Sequence, residues 1–116
     1  LFTPKLSNVA AAPFFLHSFS ILLLNRFKAN KKYYLVFRAK TKEGNATFSP
    51  YIQYHNGKGY VRCEVNCLTD MTANSDEWKE FIAEMSFPVT PTSELLLLFI
   101  NTKSEVYIDS VELLYN

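Results

Sequence analysis

Rings, guanidinium, amide and carboxyl groups recur at alternate positions in several short stretches of this 116-residue chain. Arg38 lies near the end of KYYLVFRAK, Tyr51, Gln53 and His55 alternate in YIQYH, Tyr60 and Arg62 alternate in GYVRC, and Ile82 and Glu84 alternate in FIAEM. Alternate residues of a strand point to one face, so each set forms a row. Such rows suit binding better than bond making. The chain has no Gly-rich phosphate loop and no Gly-x-Ser-x-Gly, and His17 and His55 lack motif partners. Glu64 and Glu84 could form a pair of carboxylates of the kind that acid–base cleavage uses at ~5–9 Å. An open sheet surface would neither shield nor tune them. Cys63 and Cys67, in CEVNC, are too far apart for a redox CxxC and have no zinc-ligand companions. They form a disulfide if the chain bends sharply after Val65 and stay free thiols if the strand continues. The triplet Asn45-Ala46-Thr47 is a glycosylation sequon of a kind common by chance.

The elements that must position these rows read as strands. Ten Phe and seven Tyr favour pleated, half-buried surfaces, and apolar runs are broken by Gly, Asn, Ser and Lys at the intervals of an all-β chain. Seven strands are expected, at 14–25, 32–40, 47–54, 58–65, 77–87, 94–101 and 105–114. Residues 77–87 fit a helix through Trp78, Phe81, Ile82 and Met85, but also alternate as Phe81, Ala83, Met85 and Phe87. The β neighbours favour the strand. Tyr33, Leu35, Phe37 and Ala39 should face the core, as should Val61, Cys63 and Val65. For YIQYH the inward set is either Ile52 and Tyr54 or the reverse. Leu35, Phe37, Val61, Cys63, Leu96, Phe99 and Val111 are expected to be buried, and the four leucines from Leu95 to Leu98 suggest a strand covered on both sides. Val106 and Ile108 fall out of phase with Val111 and Leu113, which predicts a bulge at Asp109 and Ser110.

Length and composition allow one domain over 1–116. The chain opens on Leu1 without a Met, so it is expected to be a processed or excised piece of something longer. The most apolar run is far short of the ~20 residues that span a bilayer. Eight of the twelve Lys and Arg precede the first acid, Glu43, an asymmetry that strand pairing should cancel in space.

RFKANKKYYLVFRAKTKEG resembles carbohydrate-binding modules of families 4, 9 and 22, where a polar turn leads into Tyr-x-Leu-x-Phe-x-Ala. EWKEFIAEMSFPV, ELLLLFIN and VYIDSVEL resemble their ending, in which a Trp opens a strand and the last strand reads hydrophobic-Asp-x-Val-x-Leu. The likeness spans residues 19 to 114, and the modules' opening strand is not recognisable before it. It implies an antiparallel two-sheet β-sandwich, a jelly roll, with an open groove for a glycan chain, no catalysis, a linked catalytic domain and an extracellular or cell-surface setting. The groove residues would be Arg38, Tyr51, Gln53, His55, Tyr60, Arg62 and Glu84 on one shared outward face, with rings against sugar C–H faces and polar groups on hydroxyls. Tyr54 stands in for Tyr51 if the strand faces the other way. Trp78, the only Trp, could serve as a sugar platform, but it matches a position that packs in the core or at the sandwich edge. Asp109 matches one beside a structural calcium in many such modules, set here against a plain hydrogen-bonding role at the bulge. The rival functions are a structural or protein-binding spacer or adhesin domain of the same fold, and single-strand nucleic-acid binding through the cations and aromatics of KKYYLVFRAK.

Overall fold

The computed structural model describes residues 5–7, 13–15, 18–23, 27–92, 96–102 and 104–115, with side chains from Phe27 onward except those of Phe99 and Asn101. Among the described residues there is no helix, and so none long and apolar enough to cross a membrane. The strands are β1 (Lys5–Ser7), β2 (Pro13–Phe15), β3 (Ser18–Leu23), β4 (Lys32–Thr41), β5 (Ala46–Thr47), β6 (Ser49–His55), β7 (Tyr60–Arg62), β8 (Glu64–Cys67), β9 (Thr72–Ala73), β10 (Lys79–Ser86), β11 (Leu96–Asn101) and β12 (Glu105–Tyr115).

A six-stranded sheet runs β1-β12-β4-β10-β8, with β2 also on β12, and a four-stranded sheet runs β3-β11-β6-β7. β5 and β9 form a small third ladder. Every pairing is antiparallel, giving the expected all-β sandwich.

Period-2 alternation fills its interior. Tyr33, Leu35, Phe37 and Ala39 of β4 are buried beside Phe81, Ala83 and Met85 of β10 and Val106, Ile108, Val111 and Leu113 of β12. Ile52 and Tyr54 of β6 and Leu96, Leu98 and Ile100 of β11 close the core from the other sheet. Phe37 stacks on its cross-strand partner Phe81 at 5.2 Å, and Phe48 meets both rings edge-on. Tyr54 joins the sheets through an edge contact of 4.9 Å with Phe87. The bulge falls where phase predicts it: Ile108 pairs Ala39 and Ser110 pairs Arg38, which leaves Asp109 as the extra residue and both Ile108 and Val111 inward.

Several expectations need correction. The run 14–25 is not one strand; its described parts are β2, on β12 of the six-stranded sheet, and β3, on β11 of the four-stranded one. The run 58–65 divides at Cys63 into β7 and β8, again in different sheets. Cys63 N–H still donates to Ile52 O at 2.8 Å, but Ile52 N–H donates to the Cys63 sulfur at 3.3 Å. A thiol thus takes the place of a ladder carbonyl just where the chain crosses over. Val61 is partly buried against the core, whereas Val65, on the edge strand β8, is 36% exposed. Leu97 is exposed between buried Leu96 and Leu98, so β11 is covered on one face and not two. Leu95 and the Phe99 side chain lie outside the described residues. Cys63 and Cys67 are free thiols, one buried and one exposed.

Candidate functional site

With Ile52 and Tyr54 inward, Tyr51, Gln53 and His55 must face out from the four-stranded sheet. The register sets Gln53 opposite Arg62 and His55 opposite Tyr60, and on the other side sets Leu97 opposite Gln53. Five of the candidate residues thereby form one continuous patch. From Tyr51 to His55 it extends about 13 Å along the strand, longer than a single sugar ring.

The turn between β6 and β7 fixes this register. Asn56 N–H donates to Gly59 O, and the Asn56 side-chain oxygen accepts from the N–H groups of Lys58 and Gly59. Gly57 has φ of 100°, a conformation that side-chain-bearing residues rarely adopt.

Tyr60 is the platform ring, 64% exposed, with the His55 ring set edge-on at 5.1 Å and 88°. His55 is itself held: its Nδ1 accepts from Gly57 N–H at 3.0 Å and lies 2.8 Å from the Thr92 hydroxyl, while Thr92 N–H donates to His55 O. A backbone donor aimed at Nδ1 places the ring proton of the neutral imidazole on Nε2, which becomes a donor. The Arg62 guanidinium lies over the Tyr51 ring, 4.0 Å from its centroid, so its planar fork is stacked while its N–H edges remain the hydrogen-bonding groups.

The other two candidates are elsewhere, and the single groove expected from sequence is corrected. Arg38 and Glu84 lie on β4 and β10, on the outer face of the six-stranded sheet, across the core from Tyr51, Tyr60 and Arg62. Alternation shows that a residue points outward, not from which sheet. Tyr54, the alternative ring, is 1% exposed in the core. Arg38 Nη1 donates to Asp109 Oδ2 at 2.9 Å, and Glu84 lies 3.8 Å from Lys32. Ile82 and Glu64 share that outer face, and Glu64 and Glu84 are offset by two positions on neighbouring strands.

Asp109 is therefore bound to a guanidinium. Among the described residues no three His, Cys, Asp or Glu gather as metal ligands. Trp78 lies on the surface of the six-stranded sheet, half-buried beside Lys40 and Arg38, rather than in the core. Sequence reading passed over Leu97, whose outward position is fixed only by pairing with Gln53, and Thr92, which reaches His55 across a loop.

No family model and no curated protein sequence matches the chain. Solved structures do. A CBM22-1 xylan-binding domain from Paenibacillus barcinonensis Xyn10C superposes with a TM-score of 0.63 at 13% identity, over 83% of this chain and 62% of that one. The CBM22-1–GH10 modules of Clostridium thermocellum xylanase 10B, complexed with xylohexaose, give 0.60 at 20% identity over 78% of this chain and 18% of that one. A family 16 carbohydrate-binding module gives 0.51 at 19% identity, over 84% and 70%. The chain thus spans less than two thirds of the length of the first two. What it shares with all three is their fold, the antiparallel jelly-roll sandwich of carbohydrate-binding modules.

Proposed function

We propose that the chain is a non-catalytic carbohydrate-binding module that holds a polysaccharide along the outer face of β6 and β7. The observation that carries this reading is the continuous patch of Tyr60, His55, Gln53, Arg62 and Tyr51 on one open sheet face. Tyr60 offers an apolar ring for a sugar's C–H face, Gln53 both donates and accepts, and Arg62 and His55 donate to hydroxyls. Xylan is the first ligand to try, because one similar domain is xylan-binding and another set of modules is complexed with xylohexaose. An open face holds a chain weakly, so a linked enzyme domain, in an extracellular or cell-surface parent, would supply useful retention.

The patch is polar and ring-bearing rather than a closed apolar surface, which favours glycan over a spacer or protein contact. Nucleic-acid stacking through KKYYLVFRAK is left with Tyr34 as its one outward ring, since Tyr33 and Phe37 are in the core.

The test is affinity-gel retention and calorimetry on xylan, mixed-linkage glucan, mannan and host-type glycans. On the glycan retained, Tyr60→Ala and Arg62→Ala should each weaken binding by about 1–2 kcal/mol, roughly five- to thirtyfold. Arg38→Ala should leave it unchanged, with normal melts for all three. Equal affinity for wild type, Tyr60→Ala and Arg62→Ala would falsify the assignment of this face.

A further inference from the structure

On the opposite side of the sandwich, the outer face of the six-stranded sheet carries a cleft of about 460 Å³ lined by Lys40, Thr41, Lys42, Ser75, Trp78 and Tyr107. Lys40 and Tyr107 are direct cross-strand partners on β4 and β12, and Trp78 immediately precedes β10 on the other side of Lys40. The Lys40 ammonium lies 5.3 Å from the Trp78 ring centroid and 5.9 Å from that of Tyr107.

Its neighbours are neutralised and it is not. Arg38 pairs with Asp109 and Lys42 with Glu105 at 3.4 Å. Lys40 has neither a hydrogen bond nor a carboxylate partner among the described residues, and Glu94 is the one acidic side chain outside them. The cleft therefore presents one unmatched positive charge between two aromatic rings.

One unmatched charge selects a monoanion. A carboxylate balances Lys40, whereas a phosphate dianion would leave a surplus negative charge in the cleft. The rings in turn accept the C–H face of a pyranose. From this combination we infer that the cleft is a second binding site, for a uronic-acid residue whose carboxylate meets Lys40 and whose ring lies against Trp78 or Tyr107. The site extends the glycan-binding reading, but it stands on the other sheet and can fail by itself.

Trp78 is the only Trp in the chain, so its fluorescence reports this cleft and not the Tyr60 face. The intact protein is titrated with D-glucuronate, D-glucose and acetate. Glucuronate should give a saturable change in Trp78 emission at a concentration about tenfold or more below that needed for glucose or acetate, the ratio expected of one charge-assisted hydrogen bond. Lys40→Gln should abolish that advantage, Lys40→Arg should keep most of it, and Tyr60→Ala should leave it intact. An equal response to glucose, an equal response to acetate, or an undiminished response in Lys40→Gln overturns the proposal. Retention on a neutral polysaccharide gel is measured in the same variants. Its loss in Tyr60→Ala but not Lys40→Gln keeps the two sites distinct, and failure of the cleft leaves that retention untouched.

Discussion

Burial pushes the Cys63 thiol up to about 11, because desolvation of the thiolate outweighs the hydrogen bonds from the N–H groups of Ile52 and Cys63, and nearby Glu64 adds to the rise. A thiol reagent at pH ~8 should therefore label exposed Cys67 and spare Cys63 until the protein unfolds; mass mapping of the labelled peptides checks this. The sign of the linked stability follows from the raised value. Below pH 9.0, the ordinary thiol value, both states keep the proton and the full contribution is present; it is lost as pH rises from there to about 11, where the unfolded chain has already ionised. Tyr33 and Tyr54, raised mainly by burial, act in the same direction at higher pH. Cys63→Ala should flatten the fall in denaturation midpoint across that window relative to wild type. The spacing of the two cysteines could not choose between a bridge and free thiols, since the outcome depends on the chain leaving one sheet at Cys63 and joining the other at Glu64.

Strand faces were legible wherever alternation was clean. In β4 and β10 every inward residue read from the sequence is buried, and the phase break at Asp109 announced its bulge. Sheet membership was not legible, because the pattern of β7 and β8 is continuous through Cys63 while their hydrogen-bonding partners are β6 and β10 respectively. For the same reason five of the candidate ligand residues came together and Arg38 and Glu84 did not. Phe37, packed between Phe81 and Phe48 with no exposed surface, is the test of the well-read part. Phe37→Ala should cost roughly 3–5 kcal/mol in chemical denaturation. A loss under about 1 kcal/mol would invert the faces assigned to β4.

Across the whole molecule, the basic first half and the acidic second half interleave. β4 lies between β12 and β10, so Arg38 meets Asp109, Lys42 meets Glu105 and Lys32 meets Glu84. Such exposed pairs contribute ~0–1 kcal/mol each, and their role is to even out the surface potential rather than to hold the sheets together. With the Asp109 carboxylate paired to Arg38, thermal melts in excess chelator and in millimolar calcium should coincide. A rise of several degrees with calcium would show that ligands outside the described residues complete a site. Solved domains of the same architecture share only 13–20% of their residues with this chain, and the build of β6 suggests how that comes about. Ile52 and Tyr54 answer to the fold while Tyr51, Gln53 and His55, the letters between them, answer to whatever lies on the surface. Every second residue of such a strand can therefore change to suit a new ligand without disturbing its neighbours, so that one shape can be written in many different texts.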